Sequence, residues 1–319
     1  MRALLFPGQG SQAVGMGKEL YNTYAAAREV FQEVDDVLGF DLTKIIFEGP
    51  EEVLQATENA QPAIMTCSIA VIETLKKEFN LKLEDHFSYA AGHSLGEYSA
   101  LCAAGIFDIK TTAHLLKVRG EAMKSSCPDC GFSSMVAVIG IDDISKVQEL
   151  IDKTKKPNEI MVIANDNCKG QTVVSGHKES ILNLIANAKD FGAKLAKELK
   201  VSGAFHSPLM LTASTIMAET LNEAPMHEAK FPIISNVLAT EVSDANQIRG
   251  LLVEQIVGRV RWRESMEYLV SKGVNTTVEV GNGEVLSGLM KRVDSAVVRI
   301  NLTEPKDLET FVEGLIKND

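Results

Sequence analysis

Gly92-His93-Ser94-Leu95-Gly96 constrains this chain more than any other stretch. The lead-in of Phe87, Tyr89, Ala90 and Ala91 reads as the end of a buried strand, and Leu95 to Ala104 reads as a helix closed by Gly105. A serine on a strand-to-helix turn, with glycine two residues before and two after, is the Gly-x-Ser-x-Gly elbow; the glycines leave room for the turn to be tight. Such a turn exposes the hydroxyl at a helix N-terminus, where free N–H groups and the macrodipole favour a developing anion. The alternative is a chance match in a glycine-containing turn, and the pentapeptide alone leaves both open.

Around this turn the chain is long enough for one large core with an inserted subdomain, at 319 residues, 45% hydrophobic and 24% charged. It has no apolar run of membrane-spanning length. Met1 to Phe6 runs straight into a glycine-rich loop without a cleavable leader, so the expected location is cytoplasmic. The net charge of −11 argues against nucleic acid and against an anionic membrane surface. Five cysteines form no disulfide framework. Cys67 and Cys102 lie in apolar helical patterns and are expected in the core. Cys127 and Cys130 make a C-x-x-C without a second ligand pair at zinc spacing, so no metal is expected there.

Ala3 to Phe6 is expected as a strand leading into Pro7-Gly8-Gln9-Gly10-Ser11-Gln12. Gly8-x-Gly10-x-x-Ala13 formally matches a dinucleotide fingerprint. However, no second strand ending in an acidic residue follows at the required distance, and Ala25 to Leu38 reads as an amphipathic helix instead. A phosphate-loop lysine would have to stand at Met16. The remaining use for such a loop is backbone N–H groups held close to a reacting oxygen. Asn59 to Phe79 reads as a long helix, and Asp108 caps another running to about Ser126. In the latter, Lys110, His114, Lys117, Glu121 and Lys124 form a solvated stripe. Thr112, Leu115, Leu116, Arg119, Ala122 and Met123 form the opposite face. A guanidinium on that face needs an anionic partner, either an internal Glu or Asp or the carboxylate of a substrate.

From Met135 the rhythm changes. Met135 to Ile139, Ile160 to Ala164, Gln171 to Ser175 and Lys194 to Lys200 read as strands, with helices at Ile144 to Lys153 and Glu179 to Phe191. That β-α-β-β-α-β order predicts a ferredoxin-like α+β subdomain over 128–199, inserted in a large α/β unit made of 1–127 and 200–319. Val201 to Pro208 leads into a helix, Leu209 to Leu221. Strands are expected at Pro232 to Val237, Thr276 to Val280 and Ala296 to Ile300, with helices at Ile248 to Val257 and Val285 to Val293. The large unit is therefore expected to be α/β-hydrolase-like, with a mostly parallel sheet and the active site in the cleft between it and the insertion. Of six histidines, His114 is on the solvated stripe, and His86, His177 and His227 sit in polar turns. His93 is expected to point away from its neighbour Ser94. His206 remains as the best general base, against a packing role in its loop.

Several of these stretches together resemble the malonyl-CoA:acyl carrier protein transacylase family. They are Phe6 to Gln12, Gly92 to Tyr98, Val118-Arg119-Gly120-Glu121-Ala122-Met123 and Val201 to Ser207, with Ser235-Asn236-Val237, Gln255, Val260-x-Trp262 and Glu279-Val280-Gly281. The match runs nearly end to end, in family order. The resemblance implies Ser94 as the acylated nucleophile, His206 as its base, and Gln255 as the source of a backbone carbonyl that orients the imidazole. It also implies an oxyanion hole from the N–H groups of Gln9 and Leu95, Arg119 as receptor for the malonyl carboxylate, and Phe205 as a bulky selector against C2-branched acyl groups. Gly281-Asn282-Gly283 departs from the family's usual Gly-Pro-Gly, and asparagine tolerates the same turn.

The activity so implied is transfer of malonyl from malonyl-CoA to the phosphopantetheine thiol of an acyl carrier protein through a malonyl-serine ester, for fatty acid synthesis. No bound cofactor is expected; malonyl-CoA is the substrate and the carrier protein the partner, and the chain is expected to act as a monomer. Carrier proteins of this kind are typically acidic. Docking to this acidic chain would therefore need a local basic patch, for which Arg259, Arg261, Arg263, Lys194, Lys197 and Lys200 are candidates alongside an ordinary solvated role. Loading of a polyketide synthase is an alternative with the same chemistry. A serine hydrolase or thioesterase is another, since Asp166 and Asp190 lie between Ser94 and His206 in the order Ser…Asp…His.

Overall fold

The computed structural model describes residues 1–126 and 131–317; the C-x-x-C of Cys127 and Cys130 lies outside the described residues. Two sheets carry the architecture. The strands are β1 (Arg2–Phe6), β2 (Tyr89–Gly92), β3 (Ser133–Ile139), β4 (Met161–Cys168), β5 (Gln171–His177), β6 (Leu195–Glu198), β7 (Ile233–Ile234), β8 (Glu241–Val242), β9 (Thr276–Val280) and β10 (Val298–Leu302). A six-stranded sheet runs β10-β9-β1-β2-β7-β8, parallel throughout except for the β7–β8 pair. A four-stranded sheet runs β4-β5-β3-β6 and is antiparallel. The protein is thus an α/β fold with a mostly parallel mixed sheet and a separate antiparallel one.

The inner strands β1, β2 and β7 are buried on both faces, which is why they are short runs of apolar and small residues, whereas the edge strand β10 is mostly half-exposed. Successive side chains of β1 divide between two cores. Leu4 and Phe6 join a cluster with Ile64, Leu101 and Leu116, while Ala3 and Leu5 join Trp262, Met266 and Met290. The first cluster is centred on the helix Thr57–Lys77, in which every residue from Ala60 to Leu75 is buried. A helix apolar on all sides has to be wrapped, and the helices Ala25–Leu38 and Ile109–Ser125 pack against it. In the antiparallel unit, Val136 and Val138 of β3 pack with Leu150, Ile181 and Leu184 of its two helices, so the alternate residues face the other way. Among the described residues no helix is long and apolar enough to cross a membrane.

The long segments match their sequence patterns to within a few residues, and the differences have local causes. The strand expected over Pro232 to Val237 shrinks to β7, because the chain turns after Ile234 and Ala239 N–H closes on Ser235 O at 2.8 Å. The last strand lies two residues later than expected. It is followed by a further helix, Pro305–Ile316, with Pro305 in its first turn and the Glu304–Asp307 capping box at its start. The helix Trp262–Ser271 was not anticipated, since the cluster of arginines before and within it obscured its apolar stripe of Trp262, Met266 and Leu269.

Candidate active site

The elbow forms because its backbone approaches its neighbours too closely for any side chain. A Cβ on Gly92 would lie 1.9 Å from the Gly96 carbonyl carbon, and one on Gly96 would lie 2.2 Å from Phe6 O. Ser94 itself has a φ of 54°, a left-handed conformation that costs a non-glycine residue about 1–3 kcal/mol and is held by its surroundings. His93 N–H donates to Phe6 O at 3.0 Å, and Ser94 N–H donates to Asn236 Oδ1 at 2.7 Å. The Asn236 amide nitrogen donates in turn to Gly92 O at 2.7 Å, so one asparagine bridges both sides of the turn.

The loop after β1 packs onto this turn. A Cβ on Gly8 would meet His93 O at 2.6 Å. The loop is tied by Ser11 Oγ to Gly8 O at 2.9 Å and by Asn282 Nδ2 to Ser11 O at 2.6 Å. Gln9 is anchored through its side-chain oxygen by Thr57 Oγ1 at 3.1 Å. The backbone N–H groups of Gln9 and Leu95 find no acceptor among the described residues, and both residues line the same cleft.

His206 comes from the loop after β6, also with a φ of 54°. Its Nε2 lies 2.7 Å from Ser94 Oγ, and its Nδ1 lies 2.9 Å from the backbone carbonyl oxygen of Gln255. A carbonyl only accepts, so Nδ1 carries the proton and Nε2 is left to accept from the serine hydroxyl. Burial and then the Arg119 cation push the imidazole down to about 3, which keeps it neutral and makes it a weaker base than a free imidazole. Among the described residues no carboxylate completes a triad. Asp166 is buried in an ion pair with Arg263 at 2.8 Å, and His206 has the Gln255 carbonyl in its place.

Arg119 is 1% exposed, and of the two expected partners, an internal Glu or Asp or a substrate carboxylate, it has no internal ion pair among the described residues. Its Nη1 donates to Gln61 Oε1 at 2.7 Å, and its Nη2 to Gln255 Oε1 at 3.0 Å and to Ser94 Oγ at 3.1 Å. These acceptors are neutral, and its Nε is buried without a partner. Gln61 was not singled out in the sequence, although an amide in a wholly buried helix is the kind of residue that needs a reason. The Glu97 carboxyl lies behind this array, pushed up to about 7 by burial.

These groups meet in a cleft of about 370 Å³ lined by Gln9, His93, Ser94, Leu95, Arg119, Phe205 and His206, and on its other wall by Met135, Ala137, Asn165, Asn167 and Val173. His93 turns its ring to Asn167, with Nε2 2.8 Å from Oδ1, and to Trp262, so it lines the cleft without a hydrogen bond to Ser94 Oγ among the described residues. Of the basic candidates, Arg259 and Arg261 pair with Glu264, and Arg263 with Asp166 and Glu267. Lys194, Lys197 and Lys200 are exposed. Cys67, Cys102 and Cys168 are free thiols raised by burial, and no cluster of metal-ligating side chains occurs among the described residues.

A half-buried, strained serine against a neutral imidazole, with free N–H groups and an unsatisfied guanidinium beside it, suits acyl transfer from a carboxylate-bearing acyl group. The comparisons agree. The family model described as acyl transferase domain matches residues 3–297. The malonyl CoA-acyl carrier protein transacylase of Bacillus subtilis (strain 168) is 41% identical over 313 residues, 98% of this chain and 96% of that protein. The structure of an acyl-carrier-protein-S-malonyltransferase from Bartonella henselae superposes with a TM-score of 0.95 at 43% identity, covering 98% of this chain and 99% of that one. A malonyl-transacylase in complex with a type II PKS acyl-carrier protein superposes with a TM-score of 0.93 at 35% identity, covering 98% and 99%. With most of its length matched by the family model and by relatives well above 30% identity, the chain belongs to the malonyl-CoA:acyl carrier protein transacylase family of acyl transferases.

Proposed function

We propose that this protein transfers malonyl from malonyl-CoA to the phosphopantetheine thiol of an acyl carrier protein, as an [acyl-carrier-protein] S-malonyltransferase supplying fatty acid synthesis. The observation that carries the reading is the position of Ser94 Oγ, between His206 Nε2 at 2.7 Å and Arg119 Nη2 at 3.1 Å. His206 takes the hydroxyl proton as Ser94 attacks the thioester carbonyl. The N–H groups of Gln9 and Leu95 hold the resulting oxyanion. The C–S bond then breaks, and the CoA thiolate leaves with the proton from Nε2. The carrier thiol repeats the sequence in reverse on the malonyl-serine ester. Arg119 grips the free carboxylate, and Phe205, buried against the cleft, limits room at C2. A carboxylate on Arg119 also neutralises the cation that depresses His206, so the base strengthens when the right acyl group is in place.

Malonyl-CoA and the carrier protein are substrates, and no bound cofactor takes part in the scheme. The enzyme is read as a cytoplasmic monomer. The division into a large α/β-hydrolase-like unit (1–127 and 200–319) and a ferredoxin-like insertion (128–199), with the cleft between them, is supported by the β-α-β-β-α-β order and the β4-β5-β3-β6 strand order. Exposed Lys194, Lys197 and Lys200 are the better docking candidates for an acidic carrier, since the three arginines already have partners. Loading of a polyketide carrier remains the second reading, favoured by the relative solved with such a carrier.

The test is incubation with malonyl-CoA alone, followed by intact mass and peptide mapping. A single malonyl adduct on the Ser94 peptide, discharged by a phosphopantetheinylated carrier, is the expected result. CoA release without a lasting adduct would make water the acceptor and the protein a hydrolase.

A further inference from the structure

Glu97 stands in the first turn of the helix Gly96–Ala103 and is 3% exposed. Its Oε2 accepts from the Gln255 amide nitrogen at 2.7 Å and from the Asn236 backbone N–H at 3.2 Å. The Gln255 nitrogen also donates to Ser94 O at 3.0 Å, while the Gln255 side-chain oxygen accepts from Arg119 Nη2 at 3.0 Å. A glutamine amide has two orientations of nearly equal shape, and hydrogen-bond partners decide between them. Here the nitrogen faces two acceptors and the oxygen faces a cationic donor. Turned by half a rotation, the amide oxygen would face Glu97 and Ser94 O, and the NH2 group would face the guanidinium. Glu97 Oε2 already accepts from the Asn236 N–H, and an oxygen so placed accepts from the Gln255 amide as well, so Glu97 admits one orientation.

We propose that Glu97 is a positioning residue for acyl-group selection: it fixes the Gln255 amide and thereby the plane in which Arg119 meets an acyl carboxylate. With Nη1 held on Gln61 and Nη2 on Gln255 and Ser94, the guanidinium cannot rotate, and Nε and the second N–H of Nη1 are the donors left over among the described residues. His206 is held by the backbone carbonyl of the same Gln255. Turning the side-chain amide therefore disturbs the clamp more than the base. Loss of Glu97 should act on the preference for carboxylate-bearing acyl groups rather than on acyl transfer as such. The proposal rests on the reading of Arg119 as the carboxylate receptor.

The experiment measures kcat and KM for malonyl-CoA and acetyl-CoA, with a phosphopantetheinylated carrier, in four variants. Glu97→Met removes the acceptor at nearly constant volume and should lower the malonyl-to-acetyl preference about tenfold, chiefly through the KM for malonyl-CoA. Glu97→Gln keeps an oxygen for Gln255 and Asn236 and should hold the preference within about threefold of the parent. Gln255→Leu keeps the backbone carbonyl and should reproduce the effect of Glu97→Met, which it replaces as the test if that variant does not fold. Arg119→Ala is the reference. If it leaves the preference unchanged, the carboxylate reading fails and this proposal with it. If it lowers the preference but Gln255→Leu or a folded Glu97→Met does not, the Glu97 proposal alone is overturned. A loss in Glu97→Gln as large as in Glu97→Met would also overturn it, because charge rather than amide orientation would then matter.

Discussion

On the six-stranded sheet the groups that face the cleft sit at turns, Gln9 after β1 and Ser94 after β2. On the four-stranded sheet they are mid-strand side chains: Met135 and Ala137 on β3, Asn165 and Asn167 on β4, Val173 on β5. A turn can aim a backbone N–H, hold a strained φ and bring a hydroxyl to a helix terminus. A sheet face offers only alternate side chains at fixed spacing. The parallel unit thus supplies reactive atoms and the antiparallel unit supplies shape. Substitutions on the two sides should differ in kind as well as size.

The largest effect is expected at the turns. Ser94→Ala should lower transfer by about 10⁴-fold or more while leaving malonyl-CoA binding measurable, because the covalent path is gone and the clamp remains; comparable residual turnover in that variant would move the nucleophile elsewhere. Gly92→Ala should cost about 3 kcal/mol of stability, read from denaturant unfolding, since the added carbon would sit 1.9 Å from backbone that cannot give way.

Arg119→Ala comes next. It should lower malonyl loading about a hundredfold relative to acetyl loading, as expected for a buried charge pair losing one member. It should also move the acid limb of acetyl loading upward. Burial and the Arg119 cation hold His206 near 3, so the base stays deprotonated far below the ordinary imidazole range. Removing the cation raises that value. Because Glu97 sits near 7, the profiles are best recorded in parallel with Glu97→Gln. An inflection near pH 6.5 that survives in that variant belongs to an imidazole and would contradict the assignment.

The wall should give the smallest effects. Ala137→Leu, projecting from β3 into the cleft, should raise KM for malonyl-CoA by about threefold to tenfold with little change in the rate of carrier-independent serine loading at saturation. A loss in loading rate as large as that of Arg119→Ala would erase the distinction between the two sheets.

Much of this was legible beforehand. The Gly-x-Ser-x-Gly turn, the β1 loop and the stripe carrying Arg119 are local patterns, set by residues within a few positions of one another. Helices such as Ala25–Leu38 and Ile109–Ser125 announced themselves by period and cap. Other features were hidden. The Arg119 acceptors, Gln61 and Gln255, lie 58 and 136 residues away in the chain. His93 was expected to point away from Ser94, and only the packing of β4 against the turn shows that its ring meets Asn167 on the cleft wall. The arginines around Trp262 were candidates for a basic patch alongside an ordinary solvated role, and the structure pairs them with carboxylates on the following helix and on β4.

By itself the sequence determined where the chain must turn, which faces must be buried, and that Ser94, His206 and Arg119 needed an explanation. Periodicity and glycine spacing are short-range properties, and steric exclusion at Gly92 and Gly96 leaves the backbone little choice. Only the tertiary structure decided what each of these groups faces. It brought the Gln255 carbonyl, which the family resemblance implied but no local pattern records, behind His206, and it placed neutral amides around Arg119. It also placed a buried glutamate behind the amide that joins them. Hydrogen-bond partners across a hundred residues are chosen by how helices and strands pack, and in one chain read alone no local pattern records that choice.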